Sequence, residues 1–211
     1  ELLHRLDQYI ARRDEFSSKK EKKLIRMKKK LNLTSDKRER LSLYNQIYRE
    51  YYTYRYDSAM VYANRGLQLA EQLHDDYFIN LNKINRAAVL STGGFYSQAE
   101  DLLLSLKSED ISPKLMQYYY YTLTWVYNYW GAFCERSEFK EEMQDKKRLY
   151  LAKTLEYVGN KHSALYYYLS GELEYLLHRT DKKVLGWYQK ALAASPIDSR
   201  VHASAAYCIA R

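Results

Sequence analysis

Tyr56-Asp57-Ser58-Ala59 and, forty residues later, Tyr96-Ser97-Gln98-Ala99 occupy the same place in two successive stretches of the chain. The same offset carries Asn45 onto Asn85. Each match lies between two apolar patterns of helical period. Before the first, Leu41, Tyr44, Ile47, Tyr48 and Tyr51 fall on neighbouring faces of a helix expected over 37–54. After it, Ala59, Tyr62, Ala63, Gly66, Leu67 and Ala70 do the same over 56–73. Around the second match, a helix over 76–92 pairs with one over 96–106 across Gly93-Gly94. A repeat of this length marks an array of helical hairpins, in which neighbours bury what one hairpin cannot bury alone.

Downstream, Ser108 to Pro113 breaks the chain, and Met116 to Phe133 is a helix dense in aromatic residues. Its partner runs over about 137–158 and ends at Gly159-Asn160, residue types that suit a helix C-terminus. A fourth hairpin, 162–178 and 181–194, closes on Tyr188-Gln-Lys-Ala-Leu-Ala-Ala-Ser-Pro196. Asp198 then starts a further helix to Arg211, without a partner, so the array is expected to continue past it. Upstream, residues 2–31 form one long helix with a thin apolar stripe, Leu2, Leu6, Ile10, Phe16, Leu24, Met27 and Leu31, ended by the capping run Asn32-Leu33-Thr34-Ser35-Asp36. The expected division is a basic helix over 1–34 and an array over 35–211, about four hairpins and a last unpaired helix. The leading helix is expected to cap the first hairpin through Leu2, Leu6, Ile10 and Phe16.

Bulk properties agree with an all-α chain. Two prolines and seven glycines in 211 residues leave little turn punctuation for a β-rich fold. No apolar run approaches the ~20 residues that cross a bilayer, and no signal peptide is visible. The chain begins at Glu1 and not at Met, so a segment upstream is expected. Cys134 and Cys208, far apart in sequence, read as buried small hydrophobes. The net charge of +8 is uneven. Residues 1–40 hold 14 Lys/Arg against 7 Asp/Glu, and the remainder 20 against 19. That argues against a nucleic-acid groove along the whole array. The Lys19–Lys30 run has three readings: the solvated face of a capping helix, a contact for acidic lipid head groups, or phosphate contact without base reading.

Tyr188-Gln-Lys-Ala-Leu-x-x-x-Pro196 resembles the end of a tetratricopeptide repeat, and Gly94-Phe-Tyr96-Ser-Gln-Ala99 resembles its mid-repeat turn. Tyr56-Asp-Ser-Ala59 is similar without the glycine. The likeness covers roughly residues 37–211. It departs from the family in the 40-residue spacing, against the family's 34, and in Val184, where a small residue is expected at the crossing of the fourth hairpin. The resemblance implies a right-handed superhelix of antiparallel hairpins whose first helices line a concave groove. The whole layout also resembles bacterial, membrane-anchored tetratricopeptide regulators, through Leu6-Asp7, the Lys19–Lys30 run and Tyr54-Arg-Tyr-Asp-Ser-Ala59. That narrower likeness implies an upstream export signal, a downstream transmembrane helix, an intracellular output segment, and a location on the periplasmic side of the inner membrane.

No constellation for catalysis is visible. Histidines 4, 74, 162, 178 and 202 form no metal-ligand pattern, and there is no phosphate loop or nucleophile elbow, so no catalytic residue, cofactor or metal is expected. Glu141-Glu142 and Glu172/Glu174 read as solvated helix faces. The conspicuous feature is tyrosine, 24 residues against 5 phenylalanines. These rings either pack between helices or line a binding groove. For the groove, Tyr44, Tyr48 and Tyr51 stand at i, i+4 and i+7 on one first helix, and Tyr121, Trp125 and Asn128 do so on another. Because buried hydroxyls need partners, these rings are expected to be partly exposed and to converge. Asn45 and Asn85 share a repeat position. In some family members such asparagines clamp a peptide carboxylate; otherwise they bond helix to helix. The expected function is a non-catalytic sensor or scaffold domain taking a protein or peptide segment, or a small ligand, with no sequence-specific nucleic acid and no membrane contact of its own. The alternative is a cytoplasmic adaptor or transcription-associated module whose basic helix touches nucleic acid.

Overall fold

The computed structural model describes residues 10–178 and 182–210. The elements are α1 (Arg13–Leu33), α2 (Lys37–Tyr52), α3 (Tyr56–Gln72), α4 (Asp76–Thr92), α5 (Tyr96–Leu104), α6 (Pro113–Phe133), α7 (Phe139–Tyr157), α8 (Ala164–His178), α9 (Lys182–Ala194) and α10 (Arg200–Ala210), with a 3-10 turn at Ser108–Asp110. Among the described residues there is no strand. The fold is all-α and built of helical hairpins. By its contacts the chain divides into two compact units, residues 1–89 and 90–211, and the division falls within α4.

In the first unit, α1 lies on α2. Leu24 and Leu31 are buried with Leu43, Tyr44, Ile47, Tyr48 and Tyr51 of α2 and with Ala59, Tyr62 and Ala63 of α3. The expected contacts of the leading helix are corrected here. Ile10 is 59% and Phe16 44% exposed, and Leu2 and Leu6 lie outside the described residues. The helix docks through its C-terminal half because that is the half alongside α2. Asp36 caps α2 by accepting a hydrogen bond from the Arg38 N–H at 2.9 Å. The Arg40 guanidinium reaches back to the Leu31 carbonyl at 2.9 Å. Lysines of α1 flank the seam, with Lys23–Glu50 at 2.6 Å and Lys30–Glu39 at 2.7 Å. Exposed pairs of this kind contribute only about 0–1 kcal/mol each, so the buried leucines carry the docking. Farther along, α3 and α4 cross at Gly66, where a Cβ would stand 2.4 Å from the Asn82 side-chain oxygen.

Two turns share one backbone solution. After α3 the Asp75 N–H bonds the Ala70 carbonyl at 3.0 Å, and after α4 the Phe95 N–H bonds the Leu90 carbonyl at 3.0 Å. Both closures need a left-handed residue one position earlier. That residue is Gly94 (φ 87°) in the second turn and His74 (φ 50°) in the first. His74→Gly is therefore expected to raise stability by about 1 kcal/mol, the cost of a side chain in that conformation. A shift of the urea midpoint checks it, and a fall in the midpoint would refute the strain.

In the second unit, α6/α7 and α8/α9 pair as hairpins and α10 packs on α8 and α9. Pro113 opens α6 at its first turn, where a missing N–H costs nothing. The core gathers Leu151, Val158, Tyr168, Leu169, Val184, Tyr188, Ala191 and Ala205. The fourth hairpin does have a close crossing, but its small residue is Gly171 on α8. A Cβ there would come 2.7 Å from Cε1 of Tyr188 on α9. Val184 is simply buried. Both cysteines are free and half-buried.

Candidate ligand cleft

Tyr44, Tyr48 and Tyr51 do not line a groove. All three are buried, Tyr48 to 2% exposure. Their hydroxyls find partners inside the protein: Tyr48 donates to the Asn85 carbonyl at 3.2 Å, Tyr51 accepts from Lys28 at 2.7 Å, and Tyr44 accepts from Arg40 at 3.2 Å. Rings stack as well, Tyr51 on Tyr62 at 5.7 Å and Tyr44 toward Tyr62 at 6.2 Å. The expectation of exposed rings fails because neighbouring helices, and not water, satisfy the hydroxyls. Asn45 and Asn85 likewise face each other, with Asn85 Nδ2 donating to Asn45 Oδ1 at 3.3 Å. They bond first helix to first helix, and Asn85 is buried.

The second set behaves differently. Tyr121, Trp125 and Asn128 on α6 are half-buried. Tyr121 and Trp125 meet edge to face at 5.9 Å, and Trp125 continues to Tyr129 at 5.7 Å. Trp125 and Asn128 form one wall of a cleft of about 440 Å³. Tyr168 and Glu172 come from α8, and Ala203, Ser204, Tyr207 and Cys208 from α10. The cleft is thus built by the first helices of two successive hairpins and by the helix that follows them. The indole N–H of Trp125 leans toward the Tyr121 hydroxyl and moderates the upward push that burial gives that phenol. It nevertheless meets no acceptor within hydrogen-bonding geometry.

Glu172 is the centre of the polar network, which corrects its reading as a solvated residue. Its side chain and that of Lys147 are each 13% exposed, with the ion pair at 3.4 Å. Oε1 accepts from the Tyr188 hydroxyl at 2.8 Å and from the Cys208 thiol at 3.6 Å. Glu174 is also sheltered and paired with Lys183 at 3.0 Å, whereas Glu141 and Glu142 are exposed. A second cleft of about 380 Å³ lies beside Asn128, with Lys140, Gln144 and Lys147 of α7 and Tyr175 of α8 in its walls. Among the described residues no group of His, Cys, Asp and Glu is arranged to hold a metal, and no helix is long and apolar enough to cross a membrane.

Sequence reasoning missed Glu172, Ser204 and Tyr207. Tyr207 sits on the helix past the fourth hairpin, where no repeat pattern pointed to a groove. Tyr168 belonged to a noted run, Tyr166 to Tyr168, but nothing in the run said which ring faces the cleft.

Burial pushes the phenols of Tyr168 and Tyr188 well up, and the Glu172 carboxylate adds to it. Burial raises Tyr127 too, helped by the Glu100 carboxylate that accepts a hydrogen bond from its hydroxyl, and Tyr119 rises to about 12. Each folded-state value lies above the ordinary one near 10, so the folded chain keeps protons that the unfolded chain releases. The contribution of these phenols to stability is full below about pH 10 and falls as pH rises through the raised values. Tyrosinate absorbance and circular dichroism recorded together are expected to show a group of phenols that ionise only as helix is lost. Ionisation of all tyrosines in one step near pH 10 with the helices intact would contradict it.

Compared with known families, residues 10–211 match the family described as the SusR N-terminal TPR domain. No curated protein matches the chain.

Proposed function

The chain belongs to the SusR N-terminal TPR (tetratricopeptide repeat) domain family, and from that premise we propose that it is the ligand-receiving domain of a membrane-anchored bacterial regulator. Tetratricopeptide domains are in general non-catalytic modules that bind proteins or peptides. In this reading an upstream export signal and a downstream membrane-spanning helix hold the domain on the periplasmic side of the inner membrane. Occupancy of the cleft is what the rest of the protein reads. The complete reading frame tests the setting, since a frame lacking both segments would remove it.

One observation carries the binding role: three helices, α6, α8 and α10, bring Trp125, Asn128, Tyr168, Glu172, Ser204 and Tyr207 to one cleft of about 440 Å³. Aromatic walls supply contact area at low entropy cost, and the few polar groups fix orientation. The occupant in this reading is a short peptide or protein segment. Selection from a random peptide library, followed by measurement of each isolate on Trp125→Ala protein, is the direct test. Trp125→Ala is expected to weaken binding by about 1–3 kcal/mol, the range of an anchoring residue, measured at a temperature where circular dichroism shows the variant folded. Isolates that bind both proteins equally would place recognition elsewhere.

A further inference from the structure

The cleft of the second unit contains one charged wall residue, Glu172, surrounded by the rings of Trp125, Tyr168 and Tyr207. A carboxylate under aromatic rings is the chemistry that receives a cation, because ring faces and carboxylate are both negative toward it. The ion pair on this carboxylate is a long one. Its partner Lys147 stands at 3.4 Å, beyond the 2.7–2.9 Å of a well-formed charge-assisted hydrogen bond. Its other partners, the Tyr188 hydroxyl and the Cys208 thiol, are neutral donors. The phenols of Tyr168 and Tyr188 beside it are pushed up by burial first and by the Glu172 carboxylate second. Ala203 and Ser204 leave the wall on the α10 side low, and Tyr207 is 67% exposed, so its ring is available to a ligand.

We propose that the cleft recognises a basic side chain, arginine or lysine, presented by a protein segment, with Glu172 pairing the charge and Trp125 and Tyr207 covering its stem. This rests on the reading of the cleft as the binding site and adds the class of ligand. Lys147 is then the built-in competitor: it holds the carboxylate in the empty domain and is displaced toward the neighbouring cleft, which it also lines.

The library selection separates the two claims. Isolates whose binding depends on Trp125 and which share a basic residue support the proposal. Isolates that depend on Trp125 but carry no shared basic residue overturn it and leave the cleft as the binding site. Selection yielding no isolate dependent on Trp125 overturns both. For a supporting isolate, replacing its arginine by citrulline, or its lysine by norleucine, is expected to cost at least tenfold in affinity. Glu172→Gln, which keeps an acceptor for Tyr188, is expected to cost about as much. Lys147→Met should act in the opposite direction, tightening binding several-fold by removing the competitor. A destabilised fold would weaken binding in both variants, so opposite signs mark charge recognition. Weakening by Lys147→Met in a protein with an unchanged melting curve would overturn the role given to the pair.

Discussion

Tyr48→Ala is expected to lower the stability of the first unit by about 3–5 kcal/mol, the cost of emptying a buried aromatic site. The ring is 2% exposed, lies 5.7 Å from Tyr52 and is held by its hydroxyl on the Asn85 carbonyl at 3.2 Å. Tyr48→Phe removes only that hydrogen bond and is expected to cost about 0.5–1.5 kcal/mol. Urea unfolding followed by circular dichroism reads both, as a shift of midpoint with an unchanged slope. A loss under ~1 kcal/mol for the alanine variant would mean that the ring stands in water, as a groove residue would.

Tyr188→Ala is expected to cost about 3–5 kcal/mol on the same ground, and it should change what Gly171 tolerates. With Tyr188 present, Gly171→Ala forces a Cβ to 2.7 Å from the ring and is expected to cost about 1–3 kcal/mol as overpacking. With Tyr188 removed, the same substitution should be neutral or stabilising by up to about 1 kcal/mol, since alanine is the better helix former. A double-mutant cycle in urea measures the difference. An equal cost for Gly171→Ala in both backgrounds would show that the close crossing of α8 and α9 is not what requires glycine.

Most of the helical plan was legible because it rests on local rules. Apolar spacing placed α2, α3, α4 and α6 within a few residues of their ends. Gly94, Gly159-Asn160 and Asp36 marked where backbone or capping chemistry stops or starts a helix. The leading helix was legible as a helix but not as a docking surface. Its stripe contains Ile10 and Phe16 beside Leu24 and Leu31, and period alone gives all four the same weight. Burial separates them because α2 covers only the second pair.

The candidate cleft was half legible. Helical spacing proposed two aromatic faces. The structure buries one of them, Tyr44, Tyr48 and Tyr51, and of the other sets Trp125 and Asn128 on a cleft, with Tyr121 packed on Trp125 and not in its wall. Both triads have the same i, i+4, i+7 pattern, so no local rule distinguishes them. Lys28, Arg40 and the Asn85 carbonyl, from 4 to 37 residues away, supply the hydroxyl partners that make burial affordable for the first triad.

By itself the sequence determined an all-α chain of paired helices, the positions of its breaks and its kinship with tetratricopeptide domains. These depend on periodicity, capping and turn chemistry, each confined to a few neighbouring residues. Only the tertiary structure decided which tyrosines are core and which line a cleft, that Gly171 supplies the close crossing, and that Glu172 is a sheltered carboxylate between Lys147, Tyr188 and Cys208. Those outcomes depend on what lies across the helix interface, and residues 16 to 36 positions apart meet there only after the hairpins have packed.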